Sequence, residues 1–160
     1  MKVARHPEEL ESDRCVAAVG SFDGVHLGHR RVLETAFGAG RPVTVVTFWP
    51  HPRLVLGNHV ELLSTLERRL ELLEDAGVDE VLVVDFTPEL AGREASDFCD
   101  IILRRIGAKV IVALRSSASR QRSTASSGVR MLMMPEARAA SAVVMVSKPD
   151  EEVVPLANWT

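Results

Sequence analysis

Apolar residues group into four short runs along the chain, at residues 16–19, 43–49, 81–86 and 110–114. The runs are rich in β-branched residues and nearly continuous, whereas a strand with one exposed face alternates apolar and polar positions. Continuous apolar runs are typical of parallel strands that are covered on both faces. We therefore predict four buried strands in a parallel sheet.

Three stretches between these runs repeat apolar residues at helical spacing. The first covers residues 28–39. The second follows Ser64-Thr65-Leu66-Glu67, which has the pattern of a capping box, and ends at Gly77, a residue suited to a helix C-terminus. The third starts near Ser96 and stops at Gly107. This alternation predicts a three-layer, Rossmann-like α/β domain with right-handed crossovers.

The pattern is lost after residue 113. Residues 114–148 contain eight serines, five arginines and one acidic residue, and the net charge changes from −5 over residues 1–113 to +2 over residues 114–160. We predict a domain at 1–113, with a sheet that is incomplete at its C-terminal end. Residues 114–160 remain unassigned, with disorder and out-of-frame translation of a G+C-rich gene as the two hypotheses. Within them only residues 143–146 predict a short strand.

The composition of the chain excludes several classes of function. The 160 residues are 46% hydrophobic and 26% charged, as in one globular domain, and a net charge of −3 gives no reason to expect nucleic acid or a membrane as partner. No apolar run approaches the roughly 20 residues of a membrane span. Cys15 and Cys99 are far apart, which favours reduced thiols over a disulfide or a metal site. We expect a cytoplasmic protein with small-molecule partners; its oligomeric state stays open.

The segment with the clearest chemistry is Gly20-Ser21-Phe22-Asp23-Gly24-Val25-His26-Leu27-Gly28-His29, between the first strand and the first helix. A helix N-terminus at the carboxyl edge of a parallel sheet is a common anion site. His26 and His29 are the predicted catalytic residues: they would donate hydrogen bonds to phosphate oxygens as charge builds on a leaving pyrophosphate, and neither would act as a nucleophile. A lone loop histidine is more often a capping or surface residue, so the prediction depends on the whole segment. We expect both imidazoles to face solvent.

Two motifs carry a resemblance to a known family. The segment 20–29 resembles the first motif of the bacterial FAD synthetases, the adenylyltransferase module of bifunctional riboflavin kinase/FMN adenylyltransferase proteins, in the nucleotidyltransferase superfamily. Thr47-Phe48-Trp49-Pro50-His51-Pro52 is similar to the Thr-Phe-x-Pro-His-Pro segment that separates the flavin enzymes from other members. Ser21 replaces the family's usual Asn. The resemblance covers about residues 14–113; the family's later Ser-Ser-Thr-x-Ile-Arg motif and its kinase module are not found.

The resemblance implies the roles of the site residues. The nucleotide cradle would be formed by Gly20, Ser21, Phe22, Asp23, Gly24 and Gly28. A flavin or nucleotide pocket would be bordered by Thr47, Pro50, His51 and Pro52. His51 lies between two prolines, which hold it on a stiff, extended turn at the same sheet edge. The alternative for His51 is a proline-rich loop with a surface histidine.

The implied activity is FMN adenylyltransferase, which makes FAD and pyrophosphate from ATP and FMN, with Mg²⁺ accompanying ATP and no metal ligand among the site residues. Two alternatives stay open. The first is another adenylyl- or cytidylyltransferase that acts on a small phosphorylated acceptor. The second is a non-catalytic nucleotide-binding remnant, because the family's later ATP-site motif is missing.

Overall fold

A seven-stranded sheet forms the centre of the computed structural model, which describes residues 1–11, 14–93, 95–98, 102–114, 129–132 and 142–147. The strands are β1 Lys2–Ala4, β2 Cys15–Val19, β3 Val43–Trp49, β4 Glu80–Asp85, β5 Ala108–Leu114, β6 Val129–Leu132 and β7 Ala142–Ser147. Their order across the sheet is β1-β4-β3-β2-β5-β7-β6. The four predicted strands are confirmed as β2, β3, β4 and β5.

Five neighbouring strands, from β1 to β5 in the sheet order, are parallel, as predicted. β7 pairs antiparallel with β5 and β6 pairs antiparallel with β7, so the sheet is mixed at this edge. β7 confirms the short strand predicted at residues 143–146. β1 was not predicted, because three residues give little pattern and its pairing partner is residues 80–82 of β4. The boundary at residue 113 and the nature of residues 114–160 stay predictions.

In the described part of the chain, five α-helices lie between the strands: α1 Leu27–Ala39, α2 Pro52–Val55, α3 Leu66–Asp75, α4 Pro88–Ala91 and α5 Ala95–Phe98. The predicted capping box of α3 is wrong by one residue. Thr65 is the N-cap and accepts a hydrogen bond from the Arg68 N–H at 3.2 Å, because the Ser64 hydroxyl is bonded to Asp23 instead. Gly77, with φ of +82°, follows the end of α3 as predicted. The third predicted helix is seen as α5 at Ala95–Phe98 and as a helical turn at residues 102–106, where the Ile106 N–H donates to the Ile102 carbonyl; residues 99–101 lie outside the described residues.

Both faces of the sheet are covered, which confirms the three-layer prediction. α1 and α3 pack on one face through Val32, Leu33, Leu66 and Leu73, all at most 5% exposed. Leu103 and Ile106 pack on the other face. Because β2 and β3 are parallel neighbours, their carboxyl ends lie side by side, and both sequence motifs start at this one edge. Among the described residues, no helix has the length and apolarity needed to cross a membrane.

Candidate active site

The first motif begins with a strained turn. Phe22, Gly24 and Val25 have φ values of +52°, +67° and +41°, and the side chains of Phe22 and Val25 are 1% exposed. A left-handed conformation costs a residue with a side chain about 1–2 kcal/mol. Such a turn therefore persists only where the surrounding contacts hold it.

Asp23 supplies those contacts. Its Oδ2 accepts a hydrogen bond from the Leu63 N–H at 2.8 Å, and its Oδ1 accepts bonds from the N–H and the hydroxyl of Ser64 at 2.9 and 2.7 Å. The Gly24 N–H in turn donates to the Ser64 hydroxyl at 2.9 Å. Burial alone would raise the pKa of Asp23, but these hydrogen bonds and nearby Arg69 hold it below its ordinary value. The charged carboxylate therefore fixes the turn against residues 63–64.

The three glycines of the motif lie where an added side chain would meet close neighbours. A Cβ on Gly24 would lie 2.9 Å from Cβ of Leu63, in addition to the positive φ. A Cβ on Gly20 would meet the Phe22 ring at 3.3 Å, and one on Gly28 would meet the His26 ring at 3.1 Å. Of the three, only Gly24 has a positive φ, so Gly24 is the one that both the backbone and the packing restrict to glycine, whereas Gly20 only makes a close approach to Phe22.

His26 is the N-cap of α1. Its Nδ1 accepts hydrogen bonds from the N–H groups of Gly28 and His29 at 3.1 and 3.4 Å, and its side chain is exposed. A ring nitrogen that accepts a hydrogen bond carries no proton, so the neutral ring carries its proton on Nε2. The capping bonds therefore leave Nε2–H as the donor at the N-terminus of α1.

His29 is buried beneath His26. Its ring centroid is 3.7 Å from that of His26 with 19° between the ring planes, and 5.0 Å from that of Phe22. The residue is 5% exposed and its Nδ1 is buried without a hydrogen-bond partner. Burial, with the neighbouring His26 and Arg69, lowers the pKa of His29 to about 4, against the opposing effect of Asp23. The ring is therefore neutral at pH 7.

The expectation that both imidazoles face solvent is right for His26 and wrong for His29. His29 lies three, four and seven residues before Val32, Leu33 and Ala36, which are the buried positions of α1. Residues at these spacings share one helix face. Replacing both histidines would therefore also open a cavity, so a double substitution does not test catalysis alone.

The second motif is tied to the first through Thr47. Thr47 is fully buried, and its hydroxyl donates a hydrogen bond to the carbonyl of Ser21 at 2.9 Å. His51 is 8% exposed and caps α2, with Nδ1 accepting a bond from the Arg53 N–H at 3.2 Å. Burial, then Arg69 and Arg53, lower the pKa of His51. The alternative of a surface histidine is therefore wrong. Pro50 is exposed and Pro52 begins α2.

Arg69 is a site residue that the sequence analysis missed. Its side chain is fully buried; Nη1 donates to the Phe48 carbonyl at 3.2 Å and Nη2 lies 3.6 Å from Oδ1 of Asp23. The guanidinium also lies 5.5 Å from the ring centroid of Trp49. A signal existed in the sequence: Arg69 falls on the α3 face that includes Leu66 and Leu73, where a charge is unusual.

Phe48 of the second motif is part of a group of three phenylalanine rings. The ring of Phe48 is 5.6 Å from that of Phe86, edge to face, and 5.8 Å from that of Phe98. These residues come from β3, the segment after β4, and α5. Within the part of the chain that the structure describes, no group of three or more His, Cys, Asp or Glu residues is placed to hold a metal ion.

Comparisons with known proteins show what this chain is similar to. Bifunctional riboflavin kinase/FMN adenylyltransferases are similar to this chain: that of Bacillus subtilis is 38% identical over 105 residues, covering 59% of this chain and 33% of that protein. The Escherichia coli K12 protein is 35% identical over 121 residues, covering 69% and 39%. The chain thus spans about a third of the length of these relatives. A crystal structure of a macrolide-efflux protein from Streptococcus pneumoniae matches 69% of this chain and 40% of that one, with a TM-score of 0.60 and 27% identity.

A model of the FAD synthetase family matches residues 8–149 of this chain. The match includes both motifs and continues through β6 and β7, so the expected end of the resemblance at residue 113 is wrong. It covers well over half of the sequence. This chain belongs to the FAD synthetase family.

Proposed function

We propose that this chain transfers AMP from ATP to FMN, giving FAD and pyrophosphate. The observation that carries the proposal is the stacked pair of imidazoles at the N-terminus of α1, with His26 held as the cap and His29 buried as a neutral ring. Membership of the FAD synthetase family supports the choice of FMN and ATP. The proposal concerns the adenylyltransferase activity in the relatives' names and not the kinase activity.

The reaction needs positioning and charge stabilisation rather than a covalent intermediate. A phosphate oxygen of FMN attacks the α-phosphorus of ATP, a new P–O bond forms, and the bond from the α-phosphorus to the bridging oxygen breaks. Pyrophosphate leaves with the electron pair. The Nε2–H of His26, which lies at the positive end of the α1 helix dipole, donates to phosphate oxygens as this charge develops.

The second motif and the neighbouring aromatic residues suit the flavin. His51 shares Asp23 and Arg69 as charged neighbours with His29, so the two motifs meet in one region. Phe48, Phe86 and Phe98 offer ring faces and edges of the kind that a planar heterocycle contacts. We propose that Pro50, His51 and Pro52 border the flavin side of the site.

Mg²⁺ enters the proposal with the ATP rather than as a resident ion. Both carboxylate oxygens of Asp23, the acidic residue of the first motif, are engaged by residues 63–64. The phosphates themselves would therefore supply most of the ligands of the ion, as is usual for Mg²⁺ at nucleotide sites. The ion would neutralise charge on the departing pyrophosphate.

The test is FAD formation from FMN and ATP by the purified chain, followed chromatographically, with His26→Asn and His26→Ala as variants. Asn is a good N-cap, so the Asn variant keeps the end of α1 while it removes the Nε2–H donor. We expect turnover to fall about 100-fold or more in both variants, by analogy with the loss of one oxyanion-hole donor. Only the Ala variant should also lose about 1 kcal/mol of stability.

Two results would count against this function. Turnover of ATP with another phosphorylated acceptor, unaffected by competing FMN, would favour a different nucleotidyltransferase. Binding of ATP by the folded chain with no FAD formed would favour a non-catalytic remnant. An His26→Asn variant with full FAD formation would leave the function standing and remove His26 from the mechanism.

A further inference from the structure

We propose that Arg69 is a positioning residue of the site, whose buried guanidinium joins the two motifs and is a positive charge common to the surroundings of His29 and His51. Its significance for catalysis rests on the proposed function. The electrostatic part of the proposal does not, because it can be measured without turnover.

The first argument is the position of Arg69 between the motifs. Arg69 reaches from α3 to Asp23 in the turn of the first motif, and to the carbonyl of Phe48 just before the second. These contacts join segments that lie 46 and 21 residues away in sequence. A Lys side chain is a point charge without the planar fork that reaches two acceptors in fixed directions.

The second argument is that the guanidinium of Arg69 makes few hydrogen bonds although it is fully buried. Nε and Nη2 have no hydrogen-bond partner, and the contact of Nη2 with Asp23 is an ion pair at 3.6 Å rather than a hydrogen bond. Burying a charge is costly, and an apolar side chain of similar volume is often as stable or more stable in such a place. Stability alone therefore does not explain a cation at this position.

The third argument is the set of charges around the imidazoles. The charged or titratable groups that act on His29 are His26, Asp23 and Arg69, and those that act on His51 are Arg69, Asp23 and Arg53. Burial lowers the pKa of both residues most. For His51, Arg69 is the next cause and outweighs the opposing Asp23; for His29, His26 is the next cause, Asp23 opposes it, and Arg69 has the smallest effect in the lowering direction. A neutral imidazole keeps one nitrogen free to accept a bond, as Nδ1 of His51 does from the Arg53 N–H. A protonated ring would lose that capping bond.

The experiment is an NMR titration of the histidine side chains in the full chain, with assignments from single His→Gln variants. In the wild type, His29 is expected to titrate near pH 4. In Arg69→Met the midpoints of His29 and His51 should rise, because a nearby positive charge is removed. In Asp23→Asn they should fall, because the opposing negative charge is lost. Opposite shifts from two neighbours cannot come from a general loosening of the site.

Arg68→Met is the matched control. Arg68 is the preceding residue of α3, is exposed, and pairs with Glu71 at 2.7 Å, so this variant loses the same net charge on the outer face of the helix. We expect both midpoints to stay at their wild-type values. Arg69→Lys keeps a charge but not the fork, and should keep the midpoints while FAD formation falls.

The outcomes are distinct. Midpoints that are equal in Arg69→Met and Arg68→Met would overturn the proposal, as would a wild-type His29 that titrates at its ordinary value of 6.5. If Arg69→Met does not fold, Arg69→Gln, which removes the charge but keeps a polar side chain, is titrated in its place and is read in the same way. Shifted midpoints without any FAD formation would support the role of Arg69 and count against the proposed function alone.

Discussion

The buried imidazole of His29 makes a prediction about stability and pH. Its pKa is lowered to about 4 from an ordinary value of 6.5, so at intermediate pH the unfolded chain binds a proton that the folded chain does not. The contribution of neutral His29 to stability should be fully present above pH 6.5 and should be lost as the pH decreases towards 4. The direction follows because protonation favours the state with the higher pKa, which is the unfolded state.

The size of the effect follows from the same two values. One pKa unit corresponds to about 1.4 kcal/mol. At a pH well below both pKa values of His29, the free energy of unfolding should therefore be about 3 kcal/mol lower than at neutral pH. Between pH 7.5 and pH 5.5, the titration of His29 should lower the free energy of unfolding by about 1.4 kcal/mol. This range lies above the pKa values of most carboxylates. With a urea m-value of about 2 kcal/mol/M, the unfolding midpoint should fall by about 0.7 M.

The assay is urea unfolding at pH 7.5 and 5.5, followed by circular dichroism, for the wild type, His29→Gln and His59→Gln. His29→Gln cannot titrate, so most of the difference between the two pH values should disappear. A smaller part should remain in the same direction, because the pKa of His51 is also lowered. His59 is exposed, and His59→Gln is the control that should retain the wild-type difference. Equal losses in the wild type and His29→Gln would refute the argument.

Three further predictions concern the turn and the tail. Gly24→Ala should destabilise the fold by at least about 1–2 kcal/mol because φ is +67° and the added Cβ would lie 2.9 Å from a neighbouring side chain. Gly38→Ala is the matched control: Gly38 lies within α1 and no atom lies within 4 Å of the added Cβ, so the free energy of unfolding should rise by about 0.5–1 kcal/mol. Thermal melts in which both alanine variants shift the midpoint equally would contradict both predictions. Ser64→Ala should lower the free energy of unfolding by about 1–3 kcal/mol and should also lower FAD formation. Thr65→Ala removes only the cap of α3, so it should lower the free energy of unfolding by about 1 kcal/mol and leave FAD formation unchanged. Equal activity in these two variants would remove Ser64 from the site. Resequencing the gene tests out-of-frame translation of residues 114–160, and an uninterrupted frame would end that hypothesis.

Much of the fold follows from local patterns. The buried parallel strands are continuous apolar runs, and α1 and α3 have apolar spacing with good end residues, so both could be predicted from the sequence. β1 could not, because its three residues become a strand only through pairing with β4. The start of α3 was displaced by one residue because Ser64, a good local cap, has a better partner in Asp23, 41 residues earlier.

The segments of the candidate site could be predicted from the sequence, since the two motifs follow the first two predicted strands and neighbouring parallel strands end at one edge. The surroundings of the single side chains could not be predicted, because they depend on the folded structure. His26 and His29 look alike in the sequence, but the first caps α1 in solvent and the second lies against the core. Arg69 enters the site from a helix that neither motif includes. Burial and charged neighbours set the protonation of an imidazole, and both depend on chain segments that only folding brings together.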